Sequence, residues 1–205
     1  TINSVFVYDK RNSIIEPTSG YIVKFNNNLM GLGGDIGYVK TSAKTKFYKG
    51  FVDDKIVLSG ELEGGVLDTL KGYSRVTDRF KLGGRNFRGF QFGEIGPRDL
   101  SGDSLGGDKY VMGRLETNFP LGLPEDLGLY AGIFAETGSL WSLKAKSNVL
   151  SSIEYSEKFM RSSVGFSLYW STPIGPLQFN WSDPLNYIEG VDKTEKFSLN
   201  LATRF

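Results

Sequence analysis

Hydrophobic and polar residues alternate with a period of two along most of this chain, in nine segments. That period sends successive side chains to opposite faces of an extended strand. The segments are Ser4–Arg11, Gly20–Leu29, Ile36–Phe47, Lys55–Gly64, Lys109–Phe119, Leu127–Gly138, Ser163–Trp170, Leu177–Ser182 and Lys196–Phe205. In Lys55–Gly64, Ile56, Leu58 and Leu62 oppose Ser59, Glu61 and Glu63. In Lys109–Phe119, Val111, Leu115, Thr117 and Phe119 oppose Arg114, Glu116 and Asn118. Leu127–Gly138 puts Glu136 on the polar side with Tyr130, and Leu177–Ser182 puts Asn180 opposite Phe179 and Trp181. Only the first segment is ambiguous, because Val5-Phe6-Val7-Tyr8 is apolar on both faces. The pattern predicts an all-β, antiparallel architecture.

The makeup of the polar face narrows the class. A soluble sandwich turns that face to bulk water and favours charged residues of any size. Here charges are mixed with Gly, Ser, Asn and Tyr, as in a crowded aqueous lumen. The apolar face carries Phe119, Trp170, Trp181 and Phe205 near strand ends, the place of an interfacial aromatic girdle. Connections alternate in length: 121–126 and 172–176 are short, whereas 72–108, 141–162 and 183–195 are long. Membrane barrels join their strands by short periplasmic turns and longer external loops. The pattern therefore favours a transmembrane β-barrel wall over a soluble β-sandwich binding domain, with residues 72–108 on the external side.

Composition agrees and removes several functions. No apolar run in the 205 residues approaches the ~20 that a membrane helix needs, which leaves barrel strands open. The chain has no cysteine and no histidine, so thiol catalysis, disulfides, His-based metal sites and a Ser-His-Asp triad are excluded. A net charge of +1 implies no nucleic-acid partner. Neither a cofactor nor a metal site is expected. The chain begins at Thr1 without an initiating methionine, as a mature product or a fragment would. Carboxylate pairs occur at Asp53-Asp54, Glu61 with Glu63, and Glu125-Asp126. The first and last fall in turns, and Glu61 and Glu63 share a strand face, so they are expected to tune a polar lumen rather than to catalyse.

The long connection is the segment with candidate chemistry. It holds Phe80-Lys81-Leu82-Gly83-Gly84-Arg85-Asn86-Phe87-Arg88-Gly89-Phe90, then Ile95-Gly96-Pro97-Arg98. A connection of this length usually has a function of its own. Gly83, Gly84 and Gly89 permit positive φ and close backbone approach. A phosphate-binding loop fits poorly, since no Gly-Lys-Ser/Thr follows and no helix begins there. Gly31-Leu32-Gly33-Gly34-Asp35 reads as a hairpin connection.

Arg88-Gly89-Phe90, Ile95-Gly96-Pro97-Arg98, Leu105-Gly106-Gly107, Leu115-Glu116, Gly138-Ser139-Leu140-Trp141, Ser171-Thr172-Pro173-Ile174-Gly175-Pro176-Leu177 and a terminal Phe205 follow one another in order. This ordered set resembles the C-terminal barrel half of the BamA family of outer-membrane β-barrel assembly factors, across essentially the whole chain. The resemblance implies that the nine segments are strands eight to sixteen of a sixteen-stranded barrel, with residues 1–205 forming the C-terminal part of the barrel domain. It implies that 72–108 is the external loop that folds into the lumen, with Gly96 and Pro97 among its backbone determinants. It further implies that Arg88 is held by acidic wall positions matched by Glu116 and Glu136, Glu136 standing where the family more often has Asp. The last strand, with Phe197, Leu199, Leu201, Ala202 and Phe205, would be one side of a gated seam. Ala202 takes the place of a glycine that kinks this strand in the family.

The implied function is insertion and folding of β-barrel proteins in the outer membrane of a Gram-negative bacterium, without an enzymatic step. The implied partners are outer-membrane lipids, unfolded β-barrel clients and accessory lipoproteins reached through N-terminal POTRA repeats. A secretion or translocation channel of the same superfamily is the alternative.

Overall fold

A computed structural model describes residues 1–31, 36–144, 153–172 and 175–201. Nine strands form one antiparallel sheet: β1 (Ile2–Asp9), β2 (Ser19–Met30), β3 (Gly37–Phe51), β4 (Ile56–Lys71), β7 (Lys109–Pro120), β8 (Leu129–Trp141), β10 (Arg161–Thr172), β11 (Gly175–Asn186) and β13 (Phe197–Leu201). They lie side by side in chain order, so every connection joins neighbours. Among the described residues there are also four two-residue strands: β5 (Gly89–Phe90), β6 (Arg98–Asp99), β9 (Ile153–Glu154) and β12 (Thr194–Glu195). β5 pairs with β12, and β6 with β9. Among the described residues the sheet is open: β1 and β13 are its edges and do not pair with each other.

All nine segments read from the alternation are strands, with different ends. β4 continues through Gly64-Gly65 to Lys71. A Cβ at Gly65 would lie 2.6 Å from the Tyr110 ring and 2.7 Å from the Phe80 ring, so this glycine admits aromatic side chains to the sheet rather than ending the strand. β8 starts at Leu129 because Glu125–Leu127 forms a turn of 3-10 helix. β11 runs on to Asn186, past Pro184, which sits beside a register shift at Ser162/Ser163. Trp181 therefore lies mid-strand, stacked on Phe166 of β10 (4.6 Å) and tilted against Phe197 of β13 (5.4 Å), and not at a strand end as expected for a girdle. The hairpin expected at 31–35, along with Pro173, Ile174, Ala202 and Phe205, falls wholly or partly outside the described residues.

The two faces differ sharply. One presents exposed apolar side chains, among them Leu62, Leu115, Ile133, Phe166, Leu199 and Leu201. The core lies on the opposite, polar face. There Leu82, Phe87, Phe90 and Ile95 from the 72–108 connection pack with Tyr110, Met112 and Leu140 from the wall. Phe87 and Phe90 are fully buried, with ring centroids 5.0 Å apart. The connection thus covers the wall's polar face with a small apolar core of its own. A sheet whose buried side is the polar one and whose exposed side is apolar is inverted relative to a water-soluble sheet, and lipid is the environment that makes this arrangement favourable.

Candidate functional site

Arg88 is 3% exposed and lies beneath the loop core, against the wall. Its Nη1 and Nη2 donate to Glu116 Oε1 and Oε2, each at 3.2 Å, in a planar fork. Its Nε donates to Glu136 Oε1 at 2.6 Å, and its backbone N–H to Glu136 Oε2 at 2.8 Å. Nη1 also donates to Ser167 Oγ (3.0 Å) and Asn180 Oδ1 (3.5 Å). The Ser163 hydroxyl donates to the Arg88 carbonyl at 2.7 Å. The guanidinium carbon stands 3.5 Å from the Phe134 ring centroid, a cation–π contact. One loop residue thus touches four consecutive wall strands: Glu116 on β7, Phe134 and Glu136 on β8, Ser163 and Ser167 on β10, and Asn180 on β11.

The charges balance locally. Arg114 Nε donates to Glu136 Oε1 at 2.7 Å and its Nη2 to the Asn86 carbonyl at 2.9 Å, so two arginines face two carboxylates. Tyr169 donates a hydrogen bond to Glu116 Oε1 and stacks on Tyr130 at 4.7 Å. A buried pair of this kind adds little net stability over apolar packing, but it fixes geometry, because an arginine left without its carboxylates would be strongly disfavoured.

Backbone conformation places these groups. Gly83, Gly84, Gly89 and Gly96 all take positive φ. At Gly89 (φ +92°) a Cβ would stand 2.9 Å from the Ser163 Cβ, so only glycine lets the chain reach β10 directly after Arg88. A Cβ at Gly165 would lie 2.6 Å from Phe134, and its absence leaves room for the ring beneath the guanidinium. Pro97 is fully buried. The ends of the connection are anchored by Asp108, which accepts from Ser74 Oγ (3.0 Å) and the Lys144 N–H (2.7 Å), and by Arg79, whose Nη1 donates to the Leu105 carbonyl (3.0 Å).

Three of the carboxylates named as pairs have partners in the structure. Glu61 and Glu63 meet Lys44 at 2.8 and 3.2 Å, and Asp54 accepts from Thr18 Oγ1 at 3.0 Å. Among the described residues no group of three or more His, Cys, Asp or Glu side chains could hold a metal ion.

The model of the Omp85 superfamily domain matches residues 1–205. The chain belongs to the Omp85 superfamily. It is 34% identical over 199 residues to the outer membrane protein assembly factor BamA of Neorickettsia risticii, covering 93% of this chain and 26% of that protein. It is 35% identical over 137 residues to the human sorting and assembly machinery component 50 homolog, covering 65% of this chain and 29% of that protein. The chain therefore spans about a quarter of the length of these two relatives. A crystal structure of BamA from Haemophilus ducreyi lacking POTRA domains 1-3 superposes with a TM-score of 0.85 at 23% identity, over 96% of this chain and 41% of that one. The sheet is thus part of an Omp85 barrel wall.

Within this Omp85 wall, the structure brings Arg88, Gly89, Phe90, Glu116 and Glu136 together, and it places Phe197, Leu199 and Leu201 on the outward face of the edge strand. Ser163, Ser167, Tyr169 and Asn180 lie on the same polar face as Glu116 and Glu136, and that shared face was the available signal that they border the same site. Phe134 is on that face too, yet a phenylalanine on a polar face gives no sign of function until a cation is seen above it.

Proposed function

We propose that this chain is the C-terminal part of the barrel of an assembly factor that inserts and folds β-barrel proteins in the bacterial outer membrane. The observation that carries the reading is the Arg88 site: one guanidinium holds a long connection against four adjacent strands on the lumenal face. The assembly role in the names of both relatives supports it. Held there, the connection stiffens the wall from β7 to β11 and leaves motion to the edge strand β13. A client strand then adds to an exposed edge through main-chain hydrogen bonds. Lipid contacts the apolar outward face, clients meet the edge, and accessory lipoproteins bind through regions of the full-length protein beyond this chain. No covalent step, nucleotide, cofactor or metal enters this reading.

Reconstitution tests it. The full-length parent protein in liposomes is expected to accelerate folding of a urea-unfolded barrel client over protein-free liposomes. Equal rates in the two preparations would overturn the assembly reading. Passage of a soluble substrate into the vesicles without client folding would favour a secretion channel.

A further inference from the structure

The edge strand β13 pairs with β11 only from Leu177↔Leu201 to Trp181↔Phe197 among the described residues, although β11 continues to Asn186. The Ser182 N–H donates to the Lys196 carbonyl at 2.8 Å, and there the chain changes partner. Thr194 and Glu195 pair with Phe90 and Gly89, inside the Arg-Gly-Phe motif, and the Gln91 N–H donates to the Lys193 carbonyl at 2.9 Å. The segment just before the edge strand is therefore a strand partner of the motif that carries Arg88.

What holds that segment is a second, separate ion pair. Arg161 opens β10, and Asp192 lies in the 187–196 connection. Arg161 Nε and Nη2 donate to Asp192 Oδ2 and Oδ1, each at 2.9 Å, with side chains 1% and 0% exposed. The Ile188 N–H donates to Asp192 Oδ2 at 2.7 Å, closing the turn around the carboxylate. A third link runs inside the wall: Arg88 reaches Asn180 Oδ1, and Asn180 Nδ2 donates to Ser198 Oγ on β13 at 3.3 Å.

We propose that Arg161 and Asp192 are positioning residues of a latch that seats the 187–196 connection on the Arg-Gly-Phe motif, so that the lumenal loop and the edge strand β13 are held or released together. A bidentate buried pair suits this task, since its value lies in fixing one geometry rather than in net stability. It sits at the loop end of the sheet, and its hydrogen bonds and ion pair involve neither Glu116 nor Glu136, so it can be broken without emptying the Arg88 site. The coupling is structural. Its consequence for client folding rests on the functional reading above, and exchange and client folding are read separately so that the failure of either is recognisable.

The test is amide hydrogen exchange of the full-length parent protein in lipid nanodiscs. Asp192→Asn is expected to raise exchange by about tenfold or more both at Gly89–Gln91 and at Phe197–Leu201, with Lys109–Trp141 at wild-type rates. Arg161→Lys keeps the charge but loses the fork, and a smaller rise in the same two segments is expected. Faster exchange confined to 187–193 would overturn the proposal, as would a uniform rise through β7 and β8. Should Asp192→Asn fail to fold, an Arg161→Lys protein with wild-type exchange in both segments would also overturn it.

Discussion

Arg88→Ala removes the guanidinium and leaves two buried carboxylates behind. They are not equally orphaned. Glu136 keeps the residue 88 backbone N–H at 2.8 Å and Arg114 Nε at 2.7 Å. Among the described residues, Glu116 keeps only Tyr169 as a side-chain hydrogen-bond donor. Breaking a buried pair by deleting one partner costs roughly 3–5 kcal/mol, and the retained donors on Glu136 place this case near 3 kcal/mol. At about 1.4 kcal/mol per factor of ten, opening of the loop becomes about a hundredfold more favourable. Exchange mass spectrometry on the full-length protein in nanodiscs reads this as faster exchange across Gly83–Arg98, with β2 and β3 unchanged. Because Glu116 bears most of the loss, Arg88→Ala with Glu116→Gln is expected to recover part of the protection, a coupling that a double-mutant cycle isolates. Exchange within about twofold of wild type in the single variant would refute the reasoning, because a buried charge pair whose removal has so small an effect is not holding the loop.

Other outcomes follow from neighbouring contacts. Tyr169→Phe deletes the donor to Glu116 and the acceptor for Gln178 Nε2, and is expected to speed loop exchange about tenfold, the cost of one charge-assisted hydrogen bond. Ile133→Arg, on the outward face of β8, should destabilise the barrel in bilayers by about 2–4 kcal/mol in denaturant titrations; an unchanged midpoint would argue against lipid contact there. Burial works against the Glu94 charge, but Arg98 at 3.0 Å and Lys193 at 3.4 Å prevail and hold its carboxyl below the ordinary 4.5. A lowered folded-state pKa gives stabilisation that is complete above 4.5 and is lost as the pH falls through the lower value. Loop exchange, corrected for intrinsic rates, should therefore rise on acidification below that point, and Glu94→Gln should flatten the response.

Strand existence and face were legible because period two is a local signal, repeated in each segment. The ends of strands were not, since they depend on partners. Gly64-Gly65 looks like a break until Tyr110 and Phe80 are seen above it, and Pro184 is tolerated only beside a register shift. At the site, Arg88, Glu116 and Glu136 came from the ordered motif set, and alternation placed both carboxylates on the right face. Ser163, Ser167 and Asn180 were visible only as members of a polar face, because which of its residues meet the loop depends on where a connection of more than thirty residues comes to rest (72–108). Arg161 and Asp192 carried no signal. Neither lies in a strand segment read from the pattern, and their pairing joins the first residue of β10 to the 187–196 connection, 31 residues away in sequence.

The central claim is that the loop must be held on the lumenal wall for assembly to proceed, and the most direct measurement is client folding by the full-length Arg88→Ala protein in proteoliposomes, with exchange recorded on the same preparation. The account predicts a folded barrel, a released Gly83–Arg98 segment and a client-folding rate reduced by about tenfold or more. A wild-type rate from a protein whose loop is demonstrably released would contradict it.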